Sequence, residues 1–394
     1  MDYHRFREIT LELDGVKYRL ISKPGIAAWD HVDPATRLLI EMLNPAPTDT
    51  VLIWGCGHGL LGLVAAERVP QGYVLLVDDS CVAVEAARRT LALNGIANAE
   101  VRLSAEAAIG APAFDLAALV LPKGREATQL ALASAAAALR IGGRLLLAGP
   151  TRGGIKSAIA RMEKLFGNAD TLRVKARHRV AVAVKRASIT GPLPAPYTEV
   201  TTEVRGQTVR FVSRPGVFAG LSLDQGTRVL IENMHLRPTD AVLDLGCGSG
   251  VVGLIAARLC PQGSVTLVDA SSMAVEAARQ TLALNGVANA EVLVSDCAAA
   301  VFDREFDVVV TNPPFHQGFG VEYDVARQFI LDAAQVLRPD GRLYLVANRF
   351  IRYDRWIEEA FDNVATVYED NHYRVLQAVK MQKEVRRTSK VRRT

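Results

Sequence analysis

The chain has 394 residues, 49% hydrophobic and 22% charged, an ordinary core-forming balance that suggests two or three domains. No apolar run approaches the ~18 residues of a membrane span, and the opening MDYHRFREIT lacks the apolar centre of a signal peptide. Five cysteines, an odd number without a CxxC pair, argue against disulfides and a zinc site and predict a reducing cytosol; neither metal nor membrane is expected. The net charge of +4 is unevenly spread: residues 151–186 contribute +8, residues 381–394 contribute +5, and the remainder is acidic. Two basic concentrations on an acidic body point to a polyanionic partner such as nucleic acid.

In chain order, SKPGI (22–26) returns as SRPGV (213–217), GCGHG (55–59) as GCGSG (246–250), and EAARRTLALNGIANAEV (85–101) as EAARQTLALNGVANAEV (276–292), at an offset of 191 residues. HRVAVAVKR (178–186) has a fainter echo in YRVLQAVKM (373–381). A period this long is a whole domain copied once. The Pro-rich SITGPLPAPY (188–197) reads as the linker between a first copy at 1–187 and a second at 198–380, with a basic tail at 381–394.

In the second copy, AVLDLG (241–246) is a short apolar strand closed by glycine, and VVGLIAARLC (251–260) has helical periodicity. SVTLVDA (264–270) is a strand ending in Asp, and SMAVEAARQTLALNG (272–286) a helix stopped by Asn-Gly. AEVLVSD (290–296) and FDVVVT (306–311) are strands, ARQFILDAAQVLR (326–338) a helix, and GRLYLVAN (341–348) a strand. The alternation predicts an α/β fold with a parallel sheet covered by helices on both faces. VATVYEDNHYRVLQAVK (364–380) instead reads as two strands around a tight Asp-Asn turn, a hairpin at the sheet's end.

Ligands of open parallel sheets bind at the carboxyl ends of the strands. There the second copy carries Asp244, then Gly246, Cys247, Gly248 and Gly250, glycines that allow a sharp turn and close ligand approach. Asp269, followed by Ala270, ends the next strand, where an acid can grip the hydroxyls of a ribose. Asp296, followed by Cys297, ends the third, where a carboxylate can accept from an adenine amino group, and Asp244 can attract an ammonium. Ribose, adenine and a positive charge describe S-adenosylmethionine better than an anionic dinucleotide.

With VLDLGCGSG as its cofactor loop, the second copy resembles class I S-adenosylmethionine-dependent methyltransferases. The resemblance implies a Rossmann-like, mostly parallel seven-stranded sheet ending in an antiparallel hairpin, twice over in tandem. NPPF after the fourth strand resembles the motif of enzymes that methylate planar amino groups. Together with the duplication, GVFAGLSLDQGT (216–227) and NPPFHQG (312–318), the chain is similar to bacterial ribosomal RNA guanine-N2 methyltransferases. Ribosomal RNA or an assembling subunit is then the expected partner, with the chain acting as a monomer.

Guanine N2 is a poor nucleophile because its lone pair is delocalised into the ring. The Asn312 side-chain carbonyl and the Pro313 backbone carbonyl can accept from the amino group, and Pro313 and Pro314 keep those acceptors rigid. Phe315 can stack on the base, and His316 is a candidate for positioning it. The first copy has Val120-Leu121-Pro122-Lys123 in place of this motif, Ile53 for Asp244 and Ala105 for Asp296, but keeps Gly55, Gly57, Gly59 and Asp78. It reads as a methyltransferase domain retired to scaffold and RNA-binding duty through Arg173, Lys175, Arg177 and Arg179, with Arg386 and Arg387 of the tail adding charge. On this reading the second copy alone has a complete cofactor pocket. Alternatives are glutamine-N5 methylation of protein, adenine-N6 methylation of nucleic acid, and a non-catalytic RNA-binding assembly factor; the first two usually carry Tyr where this chain has Phe315.

Overall fold

Short apolar runs closed by turns build two seven-stranded sheets, one per copy, in the computed structural model, which describes residues 3–104, 113–189, 197–214, 222–314 and 320–382. Across the second sheet the strands run Ala290–Val294, Ser264–Asp269, Ala241–Leu245, Phe306–Thr311, Leu337–Asn348, Tyr373–Val379 and Ala365–Glu369. The first five are parallel, and the last two form the antiparallel hairpin expected from the sequence. The first sheet repeats this order with Ala99–Leu103, Tyr73–Asp78, Thr50–Trp54, Phe114–Val120, Leu139–Pro150, His178–Val184 and Asp170–Lys175. In each, strand order reverses beside the first strand, the place where open sheets form a ligand crevice.

The offset between the copies changes along the chain. Asp115 accepts from Thr50 N in the first copy and Asp307 from Ala241 N in the second, so beyond the third strand the offset is 192, and Val120 stands structurally where Asn312 does. Each seven-stranded sheet is also preceded by a two-stranded hairpin, Arg7–Leu13 with Val16–Ser22 and Thr198–Val204 with Gln207–Ser213, which the sequence reading overlooked. Asp14-Gly15 and Arg205-Gly206 turn these hairpins with both residues at positive φ; Asp-Gly is a signature of that geometry, whereas Arg205 adopts it without one.

Helices Leu60–Arg68 and Val251–Leu259 lie against the strand that follows each in the chain at so close a distance that a glycine is required at the contact. A Cβ on Gly253 would come within 2.3 Å of Leu267 Cδ2, and one on Gly62 within 2.2 Å of Leu76 Cδ2. Glycine to alanine in a helix interior ordinarily stabilises by roughly 1 kcal/mol. Here the fully buried Leu267 cannot retreat, and overpacking costs about 1–3 kcal/mol. Gly253→Ala is therefore expected to lower stability in urea unfolding; a stabilised variant would show the packing to be looser than this.

The two copies meet about a local two-fold axis. Cys81 N donates to Ala270 O at 2.9 Å, Ser272 N donates to Asp79 O at 2.7 Å, and Ser80 bridges Ser271 between them. These pairs exchange equivalent positions of the repeat, as in an isologous dimer interface. Ser271 Oγ also donates to Asp79 Oδ2 at 2.7 Å.

Candidate active site

The glycine loop of the second copy begins where Ala241–Leu245 ends. Gly246, Gly248 and Gly250 all have positive φ. Asp269 staples the loop: its Oδ2 accepts from Gly248 N at 3.0 Å and its Oδ1 from Ser271 N at 2.9 Å. Asp78 does the same in the first copy, accepting from Gly57 N at 3.1 Å and Ser80 N at 2.9 Å. That staple gives a structural reason for the acid in a copy that lacks the other carboxylates. Gly250 stands behind the loop, capping the helix Val251–Leu259; a Cβ there would lie 2.8 Å from Ala278 Cβ.

Asp244 is buried, with its Oδ2 accepting from Gly253 N at 2.8 Å. Burial pushes its carboxyl up to about 7, against the pull of that N–H. A carboxyl so placed gains most from a ligand cation. Burial likewise raises Asp269 above the usual carboxylate range, with the N–H groups of Ser271 and Gly248 opposing. At Asp296 burial also works upward, but the His4 hydrogen bond and the Lys23 ammonium outweigh it and hold the carboxyl below its ordinary value.

Asn312 follows the strand Phe306–Thr311. Its Nδ2 donates to Asp224 Oδ2 and to Thr227 Oγ1, both at 3.0 Å. A carboxylate only accepts, so the amide must turn its NH2 toward Asp224, leaving Oδ1 as an acceptor. Asp224 also caps the helix Gln225–Asn233 through Thr227 N at 2.8 Å, so its position does not depend on Asn312. Asp33 and Thr36 keep the same cap in the first copy, where Val120 offers nothing to hold. Thr311 Oγ1 donates to Leu245 O at 2.7 Å and ties the end of this strand to the head of the glycine loop.

These elements enclose a cavity of about 310 Å³ lined by Asp244, Gly246, Cys247, Gly248, Asp269, Ala270, Asp296, Cys297, Asn312, Pro313 and Pro314. Most residues singled out from sequence thus converge. Gly250 does not line the cavity, and Phe315, His316, Arg386 and Arg387 lie outside the described residues. Three carboxylates and a loop whose Gly248 has open space before its Cα suit a ligand with ribose, adenine and a cationic centre. Among the described residues no group of His, Cys, Asp and Glu is arranged to hold a metal ion, and no helix is long and apolar enough to cross a membrane.

Two features differ from expectation. The pocket is not complete in the second copy: Tyr3, Gly25, Ser80 and Val82 of the first also line it. The Ser-Lys-Pro-Gly repeat was the available signal, but a repeated turn says nothing about which copy it faces. The basic stretch is also not uniformly free. Arg173 and Arg177 are exposed on the hairpin of Asp170–Lys175 and His178–Val184, whereas Lys175 Nζ pairs with Glu41 Oε1 at 2.7 Å and Arg179 is half-buried.

Comparisons with known proteins agree with this fold. The family model described as methyltransferase small domain matches residues 17–182 and again 208–377. The chain is 38% identical over 270 residues to ribosomal RNA small subunit methyltransferase C of Stutzerimonas stutzeri, covering 68% of this chain and 80% of that protein. It is 30% identical over 377 residues to ribosomal RNA large subunit methyltransferase G of Shewanella amazonensis, covering 94% and 96%. Among solved structures it resembles a T. thermophilus 16S rRNA N2 methyltransferase in complex with AdoMet and guanosine, with a TM-score of 0.83 and 32% identity over 96% of this chain and 98% of that one.

Proposed function

The chain belongs to the methyltransferase small domain family, and on that premise we propose that it transfers a methyl group from S-adenosylmethionine to the exocyclic N2 of a guanine in ribosomal RNA. The observation that carries this reading is Asn312. Its donors are committed to Asp224 and Thr227, its Oδ1 has no partner among the described residues, and the residue lines the same cavity as the three carboxylates.

When bound, S-adenosylmethionine supplies an electrophilic methyl on a sulfonium. Asn312 Oδ1 and Pro313 O accept from the guanine amino group, fixing its plane so that the N2 lone pair faces the methyl. The same oxygens stabilise the positive charge that builds on N2 as its bond to the methyl forms and the sulfonium–methyl bond breaks, until the surplus N2 proton is released to solvent. The Pro313-Pro314 pair limits their movement, so little reorganisation remains at the moment of reaction. Asp269 holds the ribose side of the donor, Asp296 the adenine, and Asp244 the ammonium. By their place in the NPPFH run, Phe315 is assigned to stack on the target base and His316 to position it. The base must leave any helix to reach the cavity.

The test is incubation with methyl-labelled S-adenosylmethionine and ribosomal RNA of each subunit, free and assembled, followed by digestion to nucleosides. Label in N2-methylguanosine is expected. Label in methyladenosine, label in protein, or none at all overturns the reading.

The five cysteines are free thiols, which supports action in the reducing cytoplasm. A chain that already pairs two copies about a local two-fold axis has used the surface a homodimer would need, which supports a monomer. The first copy is read as the RNA-anchoring half. Arg173→Glu with Arg177→Glu is expected to weaken RNA binding and to flatten the log-affinity against log-salt line by roughly 0.7–0.9 per lost phosphate contact. Filter binding across a salt series measures it. Unchanged affinity and slope, with binding abolished on removal of 381–394, would place the anchor in the tail.

A further inference from the structure

Lys23 lies in the Ser-Lys-Pro-Gly turn of the first copy, yet its ammonium ends on Asp296 Oδ2 of the second, 273 residues away. Its side chain is 0% exposed. A buried ammonium gives up its hydration and needs compensating partners. Lys23 has the carboxylate and the face of Tyr3, whose ring centroid is 3.8 Å from Nζ. An apolar side chain of similar volume would fill the same space without that cost. Packing alone therefore does not call for a lysine here.

His4 acts from the same side. Its Nδ1 faces Asp296 Oδ2 at 3.7 Å, and its Nε2 lies 3.0 Å from Asp332 Oδ1. Asp332 in turn accepts from Ala298 N at 3.0 Å, two residues beyond Asp296. The first copy thus grips both the carboxylate and, through Asp332, the turn that carries it. Both contacts fall on Oδ2, while Oδ1 of this cavity-lining residue meets only the weak thiol donor of its neighbour Cys297, at 3.8 Å, among the described residues.

Resting on the methyl-donor reading above, we propose that Lys23 is a positioning residue for the donor site. It fixes Asp296 by one oxygen so that the other accepts the 6-amino group of the donor's adenine, and the first copy thereby completes the cofactor pocket of the second.

The experiment compares two ligands, S-adenosylhomocysteine and its inosyl analogue, in which a carbonyl replaces the 6-amino group. The full-length wild type should prefer the adenosyl ligand by about 10- to 150-fold, the range of a hydrogen bond to a charged acceptor. Lys23→Met should weaken S-adenosylhomocysteine by about that factor and bring the preference near unity, while Lys23→Arg should retain most of it. Because a core change can unfold a protein, Lys23→Met is added to Asp296→Asn as well; the double variant should bind no worse than Asp296→Asn alone. Wild-type binding by Lys23→Met, equal weakening of both ligands with the preference kept, or an additive loss in the double variant would overturn the proposal. A wild-type chain that binds neither S-adenosylmethionine nor its product sinks the methyl-transfer reading, and this proposal with it.

Discussion

Asn312→Ala is expected to lower the rate of methyl transfer by at least ~100-fold, the scale lost when a reacting group is no longer held in line, with little change in affinity for S-adenosylmethionine. The reason is a division of labour within one side chain. The NH2 end is spent on Asp224 Oδ2 and Thr227 Oγ1, both at 3.0 Å, so it orients the amide. On the proposed mechanism the carbonyl end is left for the substrate. Alanine removes both, while the glycine loop, Asp244, Asp269 and Asp296 keep their own anchors. Asn312→Asp is a sharper probe. It keeps an acceptor but sets a second carboxylate against Asp224, and two adjacent carboxylates cannot both ionise cheaply. It too should be severely impaired, although the side chain is nearly isosteric. Single-turnover kinetics with donor binding measured in parallel separates chemistry from affinity. Near-wild-type turnover in Asn312→Ala would remove the residue from the mechanism.

Asp269→Ala is expected to weaken S-adenosylmethionine by about 1.5–3 kcal/mol from the lost charged hydrogen bond alone, roughly 10- to 150-fold. The loss should fall at the upper end, because the same carboxylate holds the N–H groups of Gly248 and Ser271. Asp269→Asn can accept only one of them and turns a donor toward the other, so an intermediate loss follows. The control is Asp78→Ala, which frees Gly57 and Ser80 in the first copy and should cost local stability but far less affinity. Calorimetry on the three variants checks this order. Equal losses from Asp269→Ala and Asp78→Ala would mean that the first copy binds donor as well.

The retained acid in the first copy shows how one residue can carry two meanings. From sequence, Asp78 reads as the remnant of a ribose site. In the structure it fastens backbone, while Ile53 and Val120 stand where the second copy has Asp244 and Asn312. A loop needs its staple whether or not a ligand arrives.

The amino-acid sequence by itself determined whatever depends on neighbours in the chain. Apolar runs closed by glycine or aspartate become parallel strands, the repeat becomes two sheets of one topology, and Asp244, Asp269, Asp296 and Asn312 stand at strand ends because each lies within two residues of the last residue of its own strand. Parallel topology then brings them together without further instruction. Contacts between remote parts of the chain were decided only by the tertiary structure. Asn312 is oriented by Asp224, 88 residues earlier, and Asp296 by Lys23, 273 residues earlier. Periodicity and spacing are local signals. A side chain that crosses from one copy to the other leaves no pattern in a single sequence, since its partner is set by how two finished domains pack.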